Sequence, residues 1–154
     1  MNKYMKAALE EAVYGLNHNH GGPFGAVIVR NEKIIAKAHN KVILMNDPTA
    51  HAEILAIRIA SGKLRRFDLS DCELYSTCEP CPMCLGAIHW AKMRKLSFGC
   101  NRNDAANIGF DDRFIYDVIK GNAIKPQVKQ RQIGRKQCLK TFRLWELKDD
   151  KVKY

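Results

Sequence analysis

The stretch "CELYSTCEPCPMCLGAIHWAKMRKLSFGC", residues 72–100, decides the fold class. It opens with a short strand-like run, "CELYST". It continues with an apolar segment, "CPMCLGAIHWAKM", which reads as a helix, and closes on a second strand-like run, "KLSFGC". Pro82 suits the first turn of that helix, where a missing N–H costs nothing. A strand, a covering helix and a second strand form a crossover that lays the two strands parallel in one sheet.

Outward from this unit the pattern repeats. "AHAEILAIRIASG" (50–62) reads as a preceding helix with Gly62 near its end. Before it, "FGAVIVR" and "KIIAKAHN" are strand-like runs around Asn31-Glu32, predicting an antiparallel hairpin. Met5, Ala8, Leu9, Ala12, Val13 and Leu16 recur at helical spacing, so residues 3–17 are predicted to be an amphipathic helix, broken by "NHNHGGP". After the crossover, "DDRFIYDVI" looks helical, residues 121–136 are turn-like, and "QCLKTFRLWELKDD" reads as a last helix. The expectation is an α/β fold with a mixed sheet, in one domain of 154 residues without repeats or linkers.

Composition narrows the function. Hydrophobic residues make up 46% and charged residues 27%, which excludes a disordered chain. No run is long enough to span a bilayer, and the N-terminus lacks the apolar core of a secretory signal, so a cytoplasmic protein is expected. Six cysteines in such a chain suggest reduced thiols and a metal or redox site. Most of the +10 net charge lies at the end: from Lys120 onward there are eleven basic residues and three acids. A basic tail suits nucleic acid, but no aromatic residues interleave with it as a stacking platform would require.

The chemistry is carried by four residues. Cys81 and Cys84 are three apart, on one face of a helix start whose N–H groups favour thiolate. Alone, the pair fits zinc, a redox couple or a buried structural motif. His51 and Glu53 stand two apart at the start of the other helix, where they share no face but can both reach beyond its end. If the two helix starts lie side by side, His51, Cys81 and Cys84 form a three-ligand zinc site with a fourth position open to water. Glu53 then stands beside that position as a proton carrier. H-x-E followed by P-C-x-x-C is the signature of zinc nucleobase deaminases. Cys78 precedes Pro80 and is read as a nearby thiol, not a ligand; His18 and His20 are read as solvated loop residues.

With these residues in place, the chain resembles the cytidine-deaminase-like superfamily, and within it the small bacterial guanine deaminases. The carriers are "GGPFGAVIV" (21–29), "NDPTAHAE" (46–53), "CEPCPMCLGAIHWA" (78–91), "GFDD" (109–112) and the terminal "KY". This resemblance implies a three-layer α/β/α sandwich around a five-stranded mixed sheet. It implies one zinc per chain and hydrolysis of guanine to xanthine and ammonia, with Glu53 as general base and then acid. It assigns substrate contacts to Asn40, Asp112, Phe24, Trp90, the Ala50 backbone and Tyr154. It also implies a homodimer whose C-terminal segment, about 120–154, is swapped over the partner's pocket, with Phe142 and Trp145 of the last helix buried against one subunit.

Two other readings remain. A tRNA-specific adenosine deaminase shares the zinc motif and would use the basic tail; "GFDD" and the terminal tyrosine oppose it. A non-catalytic zinc-stabilised binding domain is opposed by Glu53, since a structural site needs no spare carboxylate. Deaminase activity on guanosine or a related aminated ring is not excluded by the sequence. Nucleic acid and membrane are not expected partners.

Overall fold

Strand β1 (Gly25–Arg30) is apolar along almost its whole length because both of its faces are covered. The computed structural model describes residues 1–122 and 128–152. β1 pairs antiparallel with β2 (Lys33–His39) on one side and with β3 (Glu73–Cys78) on the other. β3 pairs parallel with β4 (Lys95–Cys100), giving the order β2-β1-β3-β4. The hairpin between β1 and β2 turns at Asn31 and Glu32, both with positive φ, the geometry that suits a tight hairpin.

Helix α1 (Lys3–Asn17) covers one face of the sheet, packing Ala7 and Ala8 against Val27 and Val29. The opposite face receives α3 (Ala52–Leu64) and α4 (Pro82–Trp90), whose Ala56, Ala60 and Ile88 meet Ala26, Ile28 and Leu74. The expected three layers are therefore present. Small residues make the close contacts: α1 buries Ala7, Ala8, Ala12 and Gly15, while Leu9, Val13 and Leu16 of the predicted stripe stay exposed. Gly25 shows how close the layers are, since a Cβ there would lie 2.1 Å from the Ala8 carbonyl oxygen and 2.7 Å from the Ala12 nitrogen.

Two differences from expectation stand out, one in the sheet and one in an extra short helix. The sheet has four strands among the described residues, not five. Beyond β4 the chain turns helical at once. Asn101 caps α5 (Arg102–Asn107) with a full capping box through Asp104, and α6 (Arg113–Ile119) follows. The last helix, α7 (Arg135–Leu147), buries no residue; Phe142 and Leu144 are 66% and 68% exposed and Trp145 42%. A short helix, α2 (Val42–Met45), was not expected from sequence. No described helix is long and apolar enough to cross a membrane.

Gly25→Ala forces α1 off the sheet. Overpacking of this kind costs about 1–3 kcal/mol, which corresponds to a drop of roughly 3–10 °C in Tm for a chain of this size. Thermal unfolding followed by circular dichroism measures it, and an unchanged Tm would contradict the tight α1–β1 contact.

Candidate active site

β2, β3 and β4 all run in one direction, so the loops at their carboxyl ends gather on one side of the molecule. Asn40 follows β2, Cys81 follows β3, and Asn101 follows β4. β1 runs the other way and begins on that side, just after Phe24. A cavity of about 710 Å³ opens there, lined by Phe24, Asn40, His51, Glu53, Cys81 and Asp112 among others.

His51 is the N-cap of α3 and Cys81 the N-cap of α4. The two helix starts lie side by side. His51 Nδ1 is 3.5 Å from both Cys81 Sγ and Cys84 Sγ, and these donors form the only group of three suited to a metal among the described residues. A tetrahedral zinc with bonds of about 2.3 Å to sulfur and 2.0 Å to nitrogen holds such atoms roughly 3.5 Å apart. The donor set therefore fits zinc in type and spacing. Cys81 is pulled down to about 4 by hydrogen bonds from the Cys84 thiol and His51, whereas Cys84 is pushed up by that shared bond, by burial and by Glu53. The Cys81 sulfur in turn raises His51.

Glu53 sits in the first turn of α3, 5% exposed. Ser76 of β3 donates to Glu53 Oε1 at 2.9 Å, and Cys84 Sγ lies 3.4 Å from Oε2. Burial is the main cause that raises its carboxyl above the usual range. A carboxyl so held can take a proton and return it. Cys78 ends β3 outside the ligand group; burial pushes its thiol up to about 11, so it stays neutral.

The remaining predicted residues separate. Asn40 is buried, and its Oδ1 accepts from the backbone N–H groups of Gly22 (3.3 Å) and Val42 (3.2 Å). Both carbonyl partners being backbone donors, the amide NH₂ is the end left for the cavity. Phe24 lines the cavity and packs edge-on against Phe110, 4.9 Å between centroids; the sequence reading did not single out Phe110. Asp112 stands at the N-cap position of α6 but makes no capping bond. Asp111 does that work, accepting from Arg113 N–H at 3.0 Å and pairing with its guanidinium. The Asp112 carboxylate is thus left on the cavity wall, where burial and the Cys81 thiolate raise it.

Ala50 is fully buried; its carbonyl accepts from Lys41 N–H and its own N–H donates to the Asp47 carbonyl. Trp90 is not at this cavity. It ends α4, a helix that starts at the metal donors and carries its last residue about 13 Å away. There it lines a second groove with Ile54, Ile57 and Phe67. Tyr154 lies outside the described residues. Glu79 and Arg102, also missed, form the far wall: Glu79 accepts from Arg102 N–H and pairs with its guanidinium, which stacks on Tyr116. His18 is exposed as expected, but His20 is half-buried against His39.

Known proteins agree with this geometry. The model of the cytidine and deoxycytidylate deaminase zinc-binding region matches residues 1–100. The chain is 45% identical to guanine deaminase of Bacillus subtilis (strain 168) over 151 residues, covering 98% of this chain and 97% of that protein. It is 38% identical to the tRNA-specific adenosine deaminase of Buchnera aphidicola subsp. Schizaphis graminum (strain Sg), over 89% of this chain and 87% of that one. An X-ray structure of guanine deaminase from Bacillus subtilis superposes with a TM-score of 0.94 at 45% identity, covering 100% of this chain and 99% of that one. A matched zinc-binding region and a near-complete structural correspondence, on top of the donor set at two helix starts, mean that the chain belongs to the cytidine and deoxycytidylate deaminase family.

Proposed function

We propose that this chain hydrolyses guanine to xanthine and ammonia, with one zinc ion per chain. The observation that carries the reading is the pairing of opposite polarities beside Glu53. Asn40 offers a donor and Asp112 an acceptor within the same cavity. Guanine presents the complement, a carbonyl oxygen and ring nitrogens that accept and an N1–H that donates. The near-full-length likeness to a guanine deaminase supports the same substrate.

His51, Cys81 and Cys84 would hold the zinc, which when bound supplies a nucleophile at neutral pH by acidifying water. Glu53 takes a proton from the attacking water, passes it to a ring nitrogen of the purine, and later delivers a proton to the departing amine. Attack at C2 makes that carbon tetrahedral, and loss of ammonia restores the ring as xanthine. Ser76 holds Glu53 in place throughout. Phe24 and Phe110 give the flat base an apolar wall.

The assembly we infer is a homodimer with swapped C-terminal segments. The exposed apolar residues of α7 support it, since a helix with Phe142, Leu144 and Leu147 open on its own chain needs a surface from elsewhere. The segment after α7 would then close the partner's cavity, bringing Tyr154 to the purine and excluding water.

A tRNA adenosine deaminase is the second reading, favoured by the Buchnera relative. Initial rates on free guanine and on an anticodon stem-loop separate the two; release of ammonia from the stem-loop alone would overturn the guanine reading.

Three outcomes follow. Glu53→Gln keeps close to one zinc per chain by elemental analysis but loses at least about 10²–10⁴-fold in kcat; near-normal turnover by the zinc-loaded variant would remove Glu53 from the chemistry. Wild-type protein prefers guanine to adenine by a factor of about 10⁴, because adenine N1 sets a lone pair against Asp112; Asp112→Ala narrows that ratio, as kcat/KM on the two bases will report. A chain truncated after Asp150 stays folded, dimeric by light scattering and zinc-replete, yet loses most guanine turnover; full turnover would show that the tail is not a lid.

A further inference from the structure

Outside the metal site, a row of three titratable side chains lies beside Asn40. Glu11 of α1 places Oε2 3.0 Å from His39 Nδ1. His39 Nε2 lies 2.9 Å from His20 Nδ1, a hydrogen-bond distance, and the two rings are inclined by 22°. Tight packing builds this row in: His39 is 4% exposed, and a Cβ at Gly15 would come within 2.5 Å of its ring.

The row ends where the substrate amide is held. His39 is the last residue of β2 and directly precedes Asn40. His20 directly precedes the Gly21-Gly22 turn, and the Gly22 N–H is one of the two donors to Asn40 Oδ1. The His20 carbonyl also accepts from the Ile43 and Leu44 N–H groups, at 3.1 and 3.0 Å, so it pins α2, at whose start Val42 supplies the other donor. Moving His20 therefore moves both donors that orient the Asn40 amide.

We propose that Glu11, His39 and His20 are positioning residues for the substrate amide of Asn40, and that the row works only with one proton between its two rings. The Glu11 carboxylate can only accept, so His39 Nδ1 carries a proton toward it. One nitrogen of the 2.9 Å pair must then donate and the other accept. Only when both rings are doubly protonated do two N–H groups meet face to face and break the bond. The groups facing His20 oppose its proton. They are His18 and Tyr14 from α1, His39 from β2, and Lys41 just beyond it. Burial, then His39, His18 and Lys41, hold His20 below its ordinary 6.5. The sign follows. One added proton leaves the bond in place, with either His39 Nε2–H or His20 Nδ1–H donating, so the row is intact above the ordinary histidine value and is lost only as pH falls far enough below it to charge both rings.

The proposal rests on Asn40 being the substrate contact of the proposed function, so the test has two independent readouts on zinc-loaded, full-length protein. Amide hydrogen exchange at Gly22 and Val42 needs no substrate. In the wild type, protection at both is expected to fall as pH drops well below about 6.5. In His20→Ala it is lost at every pH. In His20→Gln, whose amide can donate to His39 and does not titrate, it persists without the acid loss. Steady-state kinetics on guanine should show KM raised roughly tenfold in His20→Ala, the effect of about one hydrogen bond, with kcat little changed. His20→Gln should restore KM and flatten the acid limb of kcat/KM. Unchanged exchange at Gly22 and Val42 in His20→Ala overturns the row, whether or not guanine is turned over. Exchange that responds as stated, in a wild type that does not deaminate guanine, upholds the row and overturns the guanine reading instead.

Discussion

Two helices that begin at the same point govern this molecule. A helix start carries unpaired N–H groups and a partial positive charge, and it points its first side chains ahead of itself. With α3 and α4 starting side by side, His51, Glu53, Cys81 and Cys84 meet without any one of them reaching far from its backbone. The same arrangement explains why two sulfurs and a carboxylate tolerate burial together: each lies in the field of a helix start, and the donor set is shaped for a doubly charged ion. Either helix alone would leave an expensive buried charge.

The sheet makes that meeting possible. α3 and α4 both return the chain to strands that run in one direction, so both helices finish on the far side of the molecule and begin on the near side. β1 runs against them, and in doing so brings Phe24 to the near side as well. The polar residues of the cavity come from strand ends and helix starts, while Leu16, Ala105 and Ile115 reach it from the bodies of α1, α5 and α6. Long elements fix the floor, while short pieces, α2, α5 and α6, make the wall.

How much of this could be read from sequence depends on the range of the interaction. The metal donors and Glu53 were legible because type and spacing alone limit what they can do. The strands and longer helices were legible from periodicity. Asp112 was harder, because a residue at a helix start has an ordinary role as a cap; only coordinates reveal that Asp111 takes that role instead. Trp90 lies away from its own chain's cavity, because the nine residues of α4 carry it to the opposite end of the helix from the metal donors, and sequence distance hides that travel. The fifth strand rests on the resemblance alone and is tied to no residues; periodicity marks only four strand-like runs, and after β4 the capping box at Asn101 starts a helix. His39 escaped notice and His20 was read as solvated, since the contacts that join them to Glu11 cross between separate elements.

The open flank of β4 bears on how the protein behaves in a crowded solution. β4 pairs with β3 alone among the described residues, and Phe98 on it is 45% exposed. A bare strand flank is a template on which another chain can grow. Here the strand is short and is entered through Arg94 and Lys95, with Lys95 tied to Glu73 on the neighbouring strand. Two copies approaching flank to flank bring Arg94 and Lys95 against their own counterparts, and that local repulsion guards the edge. The strength of that repulsion should fade as salt shortens the reach of those charges, and the protein's solubility, unlike its catalysis, is then a property of the medium.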